Sequence, residues 1–195
     1  MKFLKSRTFA YIVAVVAILG AFLLSARSSL REAVQKTEML YYSGVKAEKG
    51  GYIRPSIESQ MRMKYVSANN LLAVLDAHPE FSEEAEALKD ARDHVYANLG
   101  AYTDDTVSGM SWANSEFNDA VTRLKPRLAD ADFTAREREI VETSLSDIAG
   151  AQNMIDQSGY NEAVREFNAA KMQRFPARLL LPLFGNDEGG AAYFN

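Results

Sequence analysis

From Thr8 to Ala26 the chain reads TFAYIVAVVAILGAFLLSA, a run without a charged residue. At about 1.5 Å rise per residue, this run makes a helix of roughly 28 Å, close to the hydrocarbon thickness of a bilayer. Beyond it, charge returns at ordinary density, so the pattern predicts one membrane anchor and one water-soluble part. A cleaved signal peptide is the competing reading, because Lys2, Lys5 and Arg7 precede the run. Such a peptide asks for a shorter apolar region and small residues three and one positions before the cut. Here Leu24 stands two positions before Ala26, and Leu23 two before Ser25. An uncleaved anchor is therefore the expectation.

The remaining pattern is helical throughout. From Ser28 to Glu48 it predicts a helix leaving the membrane, with no strong stop until Gly50 and Gly51. Pro55 then suits the first turn of a helix from Ser56 to Ala77, whose apolar stripe is Ile57, Met61, Tyr65, Ala68, Leu72 and Leu75. Pro79 forces a turn. A second helix is expected from Ser82 to Thr103, with Ala85, Leu88, Val95, Leu99 and Tyr102 on one face and Ser82 as its cap. The segment DDTVSGM, from Asp104 to Met110, reads as a turn cluster. A third helix follows from Ser111 to Ala129, burying Ala113, Phe117, Val121, Leu124 and Leu128, with Pro126 expected to kink or shorten it. The fourth runs from Thr134 to Arg174 with Ile140, Val141, Leu145, Ile148, Ile155, Val164 and Phe167. Thr134 and Glu137 have capping-box spacing, and Gly150 and Gly159 are candidate bends.

The fold class expected is therefore all-α: an N-terminal transmembrane helix, then an up-and-down antiparallel four-helix bundle. Residues 1–27 form the anchor with its basic head, 28–55 a juxtamembrane helix and Gly/Pro break, 56–185 the bundle, and 186–195 a flexible tail. Leu179, Leu180, Leu181, Leu183 and Phe184 are too few to span a membrane and should dock on the bundle or lie on lipid.

Charge narrows the function. All 26 acidic residues follow the anchor, while Lys2, Lys5, Arg7 and Arg27 precede Ser28, so the soluble part is more acidic than the whole chain's net charge of −4. That argues against nucleic acid as a partner. The absence of cysteine removes disulfides, thiolate catalysis and cysteine metal sites. The positive-inside rule weighs Lys2, Lys5 and Arg7 against Arg27 and Arg31, and favours a bundle on the extracytoplasmic side.

No catalytic, cofactor or metal constellation is expected. His78 and His94 lack the Glu-x-x-His spacing of a carboxylate-bridged di-metal bundle, since Leu75 and Ala91 stand three positions before them. Asp90 and His94 share a helix face, which is half a metal site and more simply a solvated pair. No GxSxG, P-loop or GxGxxG occurs. In YNEAVREFN, Tyr160, Val164 and Phe167 follow helical spacing and read as packing. Tyr160, Asn161 and Asn168, with Arg174, Phe175 and Pro176, are expected to form a junction that positions the apolar segment containing Leu183 and Phe184.

Three stretches resemble the LemA family of bacterial membrane proteins. IESQMRMKYVSANNLL (from Ile57) is similar to the family's V-E-N-Q-x-x-R-R-x-x-L-x-P-N-L-V helix, with Met63 and Lys64 where the family has paired arginines. HPEFSEEAEALKDARDHV (from His78) is similar to its H-E-x-x-x-x-x-A-x-x-x-A-R segment. YNEAVREFN is followed by RFP, LFG and a final YF in the family's order. The resemblance implies a membrane-anchored helical bundle of the bacterial cell (inner) membrane, single-pass, and no activity. The function expected is a membrane-tethered scaffold or adaptor, with an envelope sensor or ligand-binding helical domain as the alternative. Its partners would be the lipid bilayer, through Thr8 to Ala26, and a protein at the membrane; a homo-oligomer stays open.

Overall fold

The computed structural model describes residues 7–47, 50–101, 103, 105–172 and 190–194. Among the described residues the regular structure is helical, and the one extended pairing is an isolated antiparallel bridge between Lys46 and Ile53. The chain divides into two compact units, Met1–Thr37 with Arg165–Ala191, and Glu38–Val164 with Ala192–Asn195.

In the first unit, α1 (Arg7–Glu38) continues well past Ala26. Tyr11, Ile18, Leu19, Phe22 and Leu24 are all exposed on it. The helical run Phe9–Ser43 is long and apolar enough to cross a membrane. Where α1 turns polar, Lys36 pairs with Glu32 at 2.8 Å, one turn apart.

The second unit starts as α1 ends. A short α2 (Leu40–Ser43) follows, and the helix expected to reach Glu48 stops there. Gly44 is the reason: it sits at φ +76°, and the chain beyond it folds back on itself. Ala47 N–H donates to the Tyr52 carbonyl and Arg54 N–H to that of Val45, both at 2.9 Å, with Gly50 and Gly51 at the reversal.

Four longer helices follow: α3 (Ile57–Leu75), α4 (Ser82–Asn98), α5 (Thr106–Ala129) and α6 (Ala135–Asp156). Ser56 caps α3, accepting from Ser59 N–H at 3.2 Å, which leaves Pro55 before the cap rather than in the first turn. A 3₁₀ turn, Pro79–Phe81, leads into α4, so Phe81 holds the cap position and Ser82 does not cap. α4 ends before Gly100 at φ +74°, short of the expected Thr103; Tyr102 lies outside the described residues. α5 begins at Thr106, inside the expected turn cluster, because Val107 and Met110 are core residues. α5 runs through Pro126 to Ala129 and is not shortened by it. At α6 the capping box is present: Thr134 Oγ1 accepts from Glu137 N–H at 3.3 Å, and Glu137 Oε2 from Thr134 N–H at 2.9 Å.

The single long helix expected from Thr134 to Arg174 is divided. α6 stops at Asp156, Gly159 takes φ +77°, and α7 (Tyr160–Phe167) starts afresh before a π-helical turn, Asn168–Met172. Gly150 produces no break within α6. In the second unit α3 packs against α6, α4 against α5, and α3 against α4. Met61, Leu71, Leu88, Met110, Phe117 and Leu124 are fully buried between them. Of the stripe expected on α3, Ile57, Met61, Ala68 and Leu75 are buried. Tyr65 and Leu72 stand half out, and Lys64 and Leu71 take the core positions instead.

A methyl group at Gly44 would collide with the Arg54 main-chain carbonyl, whereas one at Gly51, φ +69°, meets nothing within 4 Å. Gly44→Ala should therefore cost about 2–4 kcal/mol, and Gly51→Ala only the left-handed penalty of about 1 kcal/mol. Denaturant unfolding of the two variants measures the difference.

Candidate functional site

Lys64 is wholly buried in α3. Its Nζ donates to Asn114 Oδ1 at 2.7 Å, to Asn118 Oδ1 at 2.8 Å, and to Gln152 Oε1. The Phe117 ring centroid lies 5.5 Å from the same nitrogen. Three acceptors for three N–H groups complement an ammonium, and the ring face adds a cation–π contact. Burial pulls the other way and pushes the Lys64 pKa down to about 7, with Asp156 opposing. An imine-forming lysine needs a free lone pair and a route to it. In its protonated form Lys64 has all three N–H groups engaged, and it has no exposed surface, so the arrangement keeps the side chain away from solvent.

A polar chain leads outward from the cage. Asn118 Nδ2 donates to Gln152 Oε1 at 3.1 Å, and Gln152 Nε2 to Asp156 Oδ1 at 2.8 Å. Gln152 and Asp156 also line a cleft of about 390 Å³ with Arg54, Gly159, Asn161 and Phe194. Arg54 Nη1 donates to the Gln157 carbonyl at 3.1 Å across the α6–α7 break. A side chain at Gly159 would press on that guanidinium.

The chain's end closes on the same unit. Phe194 is 3% exposed and stacks obliquely near Tyr41, ring centroids 6.0 Å apart, while Tyr41 meets Tyr160 edge-on at 6.5 Å. Asn161 Nδ2 donates to the Phe194 carbonyl, and Phe194 N–H to Asn161 Oδ1 at 2.8 Å. Tyr160 Oη donates to the Ala192 carbonyl at 2.9 Å, and Ala192 N–H to Glu38 Oε1 at 3.0 Å. Burial, then the Glu38 carboxylate, raises the Tyr160 pKa, so the phenol stays a donor. The tail expected to be flexible is thus docked at Ala192 to Phe194, because Phe194 has an aromatic pocket to fill. In the first unit, Asn168 grips Ala191 the same way, donating Nδ2 to its carbonyl at 3.1 Å and accepting its N–H at 3.0 Å.

Of the expected junction, Tyr160 and Asn161 come together on the tip, and Asn168 holds its own neighbour. Arg174, Phe175, Pro176, Leu183 and Phe184 lie outside the described residues, as do Leu179, Leu180 and Leu181. His94 does not pair with Asp90: its Nδ1 lies 2.7 Å from Glu116 Oε2, and its ring lies 4.9 Å from that of Trp112. His78 bridges Glu80 at 3.1 Å and Glu137 at 3.4 Å. Desolvation lowers its pKa, but the two carboxylates outweigh that and raise it overall. Among the described residues, no group of three His, Asp or Glu side chains is placed to hold a metal ion.

Nothing in the sequence pattern marks Asn114, Asn118 or Gln152, and Lys64 stands out there only where the resembled family has an arginine. A subtler signal for it was present: Ile57, Met61, Lys64, Ala68, Leu71 and Leu75 alternate steps of four and three, with one charge in the row. A stripe drawn from apolar residues alone steps aside onto Tyr65.

Replacing Lys64 with Met keeps most of the apolar stem but removes the donor to the Asn114 and Asn118 amide oxygens. Lys64→Met should cost about 2–4 kcal/mol at pH 7. With the folded pKa near 7 against 10.5 for the free side chain, the unfolded state holds the extra proton between those values. Stability contributed through Lys64 therefore rises with pH across that window, by at most about 1.4 kcal/mol per pH unit. Urea unfolding from pH 7 to 9.5 should show this rise in the native chain relative to Lys64→Met. Comparisons of the chain with protein-family models, curated proteins and solved structures return no match.

Proposed function

We propose that the chain is a single-pass membrane protein with a LemA-like architecture, acting as a tethered scaffold or adaptor of the bacterial envelope. The observation that carries this reading is α1, whose apolar side chains are exposed and whose helical run is long and apolar enough to cross a membrane. In this reading α3 to α6 form an up-and-down antiparallel four-helix bundle. Two pairs of contacts support it. Between α4 and α5, His94 meets Glu116 and Glu84 meets Arg127; between α3 and α4, Tyr65 meets Tyr96 and Asn69 meets Arg92. In each case the numbering climbs on one helix as it falls on the other, as in antiparallel neighbours.

An adaptor offers contact surface rather than reacting groups. Tyr96 and Trp112, at 63% and 55% exposure, supply side chains of the kind that dominate protein contacts. The basic residues flanking the apolar run from Thr8 to Ala26 favour placing the bundle on the extracytoplasmic side of the inner membrane. A second reading is an envelope sensor, for which a helix continuous from the anchor into the bundle would speak; the helix stops before Gly44, which counts against it. Calorimetric heat on titrating envelope lipids or small metabolites would move the balance to it.

A benzophenone side chain placed at position 112 of the full chain, irradiated in intact cells, tests the adaptor. The expected result is a discrete protein adduct that Tyr96→Asp weakens. Irradiation yielding no adduct, or a purified chain that turns over a substrate and loses that activity on one substitution, contradicts it.

A further inference from the structure

The tip at Ala192 to Phe194 is held in an unusual manner for a segment of its own chain. Both main-chain polar groups of Ala192 are bonded to side chains, those of Glu38 and Tyr160. Both of Phe194 are bonded to the one amide of Asn161. No main-chain partner serves either residue among the described residues. The tip is neither a helix end nor a ladder strand. It is gripped as a bound peptide is gripped: the backbone is read by side-chain donors and acceptors, and one aromatic anchor is buried beside Tyr41.

Nothing in those contacts depends on the tip being joined to the chain that binds it. Residues 173–189 separate the described parts on either side, and at about 3.3 Å per residue a chain of that length reaches up to roughly 55 Å. Transfer of the tip to a neighbouring molecule would keep every hydrogen bond and the buried ring. This is the condition under which exchange of an identical element between protomers costs little. The one ligand whose fit the geometry displays is also carried by every copy.

We infer that the Glu38–Tyr160–Asn161 clasp is a peptide-binding site that accepts the Ala-Tyr-Phe tip of a second copy, so that two molecules join by reciprocal tip exchange. The specificity is for an extended segment with Phe two residues after a small residue. The aromatic pocket beside Tyr41 selects the Phe. The side chain between them, Tyr193, is 43% exposed and is left unread.

Two complementary variants of the full chain in detergent micelles test this. Phe194→Asp leaves the clasp intact and removes the anchor from the tip. Tyr160→Phe with Asn161→Asp leaves the tip intact and disables the clasp, without emptying the aromatic cluster. The chain has no cysteine, so Ser108→Cys, exposed on α5, takes a donor dye in one variant and an acceptor in the other. Mixing the two should give energy transfer several-fold above that of either variant with itself. Excess synthetic peptide GAAYFN, residues 190–195, should abolish it. Where Phe194→Asp loses helicity by circular dichroism, Phe194→Ala replaces it. Fluorescence anisotropy with the labelled peptide decides independently whether the vacated clasp binds in trans. Binding of peptide without transfer between copies would make the tip a clasp within one molecule and overturn the exchange. A folded, vacated clasp that ignores the peptide would overturn the site itself.

Discussion

An ammonium group with no exposed surface sets the terms for the helices around it. Withdrawing Lys64 from water costs several kcal/mol, and the core can return that only through oxygen atoms in fixed places. Those atoms come from two turns of α5, at Asn114 and Asn118, and from α6 at Gln152. The register of α3 against both partners is therefore tied to one nitrogen atom. A slip by a single turn of any of the three would leave the cation facing hydrocarbon or the amides without a donor. Apolar residues such as Met61, Leu71 and Phe117 supply most of the burial. They tolerate small slides that the polar cage forbids, so the cage confers uniqueness more than strength. That is the use best attested for buried polar groups.

The same cage reaches the region of greatest interest for function. Gln152 bonds to Lys64 on one side and to Asp156 on the other, and Asp156 is the last residue of α6. Immediately beyond, Gly159 turns the chain so that α7 can start with Tyr160 and Asn161, the two residues that hold the docked tip. An uninterrupted helix here would carry those side chains on along the axis of α6. The break is what brings an aromatic pocket, a cleft and an amide clasp into one place.

Much of this was legible in the sequence, and the failures have physical causes. The apolar run of α1, the helical class and the capping box at Thr134 follow from local patterns that tertiary contacts do not override. The sequence puts the start of α5 too late because Thr, Ser and Gly between residues 105 and 111 look like a turn, while the deciding fact is that Val107 and Met110 find a core to enter. Gly159 reads in the sequence as a candidate bend and not as a terminus, since a glycine's φ is set by what surrounds it. The sequence marks Tyr160, Asn161 and Asn168 as a junction. Their bonds to Ala192, Phe194 and Ala191 join positions more than twenty residues apart, which no spacing rule reaches. Lys64 was hidden for the plainest reason, that hydrophobic periodicity assigns charge to the outside.

Nitrogen-detected NMR of the lysine side chains, followed through a pH titration of the full chain, tests the central role of the buried cation most directly. The resonance absent from the Lys64→Met spectrum should titrate near pH 7, well below the other lysines, with its ammonium protons in slow exchange with water on the acid side. A Lys64 resonance that titrates with the rest, near the free value of about 10.4 and with freely exchanging protons, would place the side chain in solvent and contradict the account.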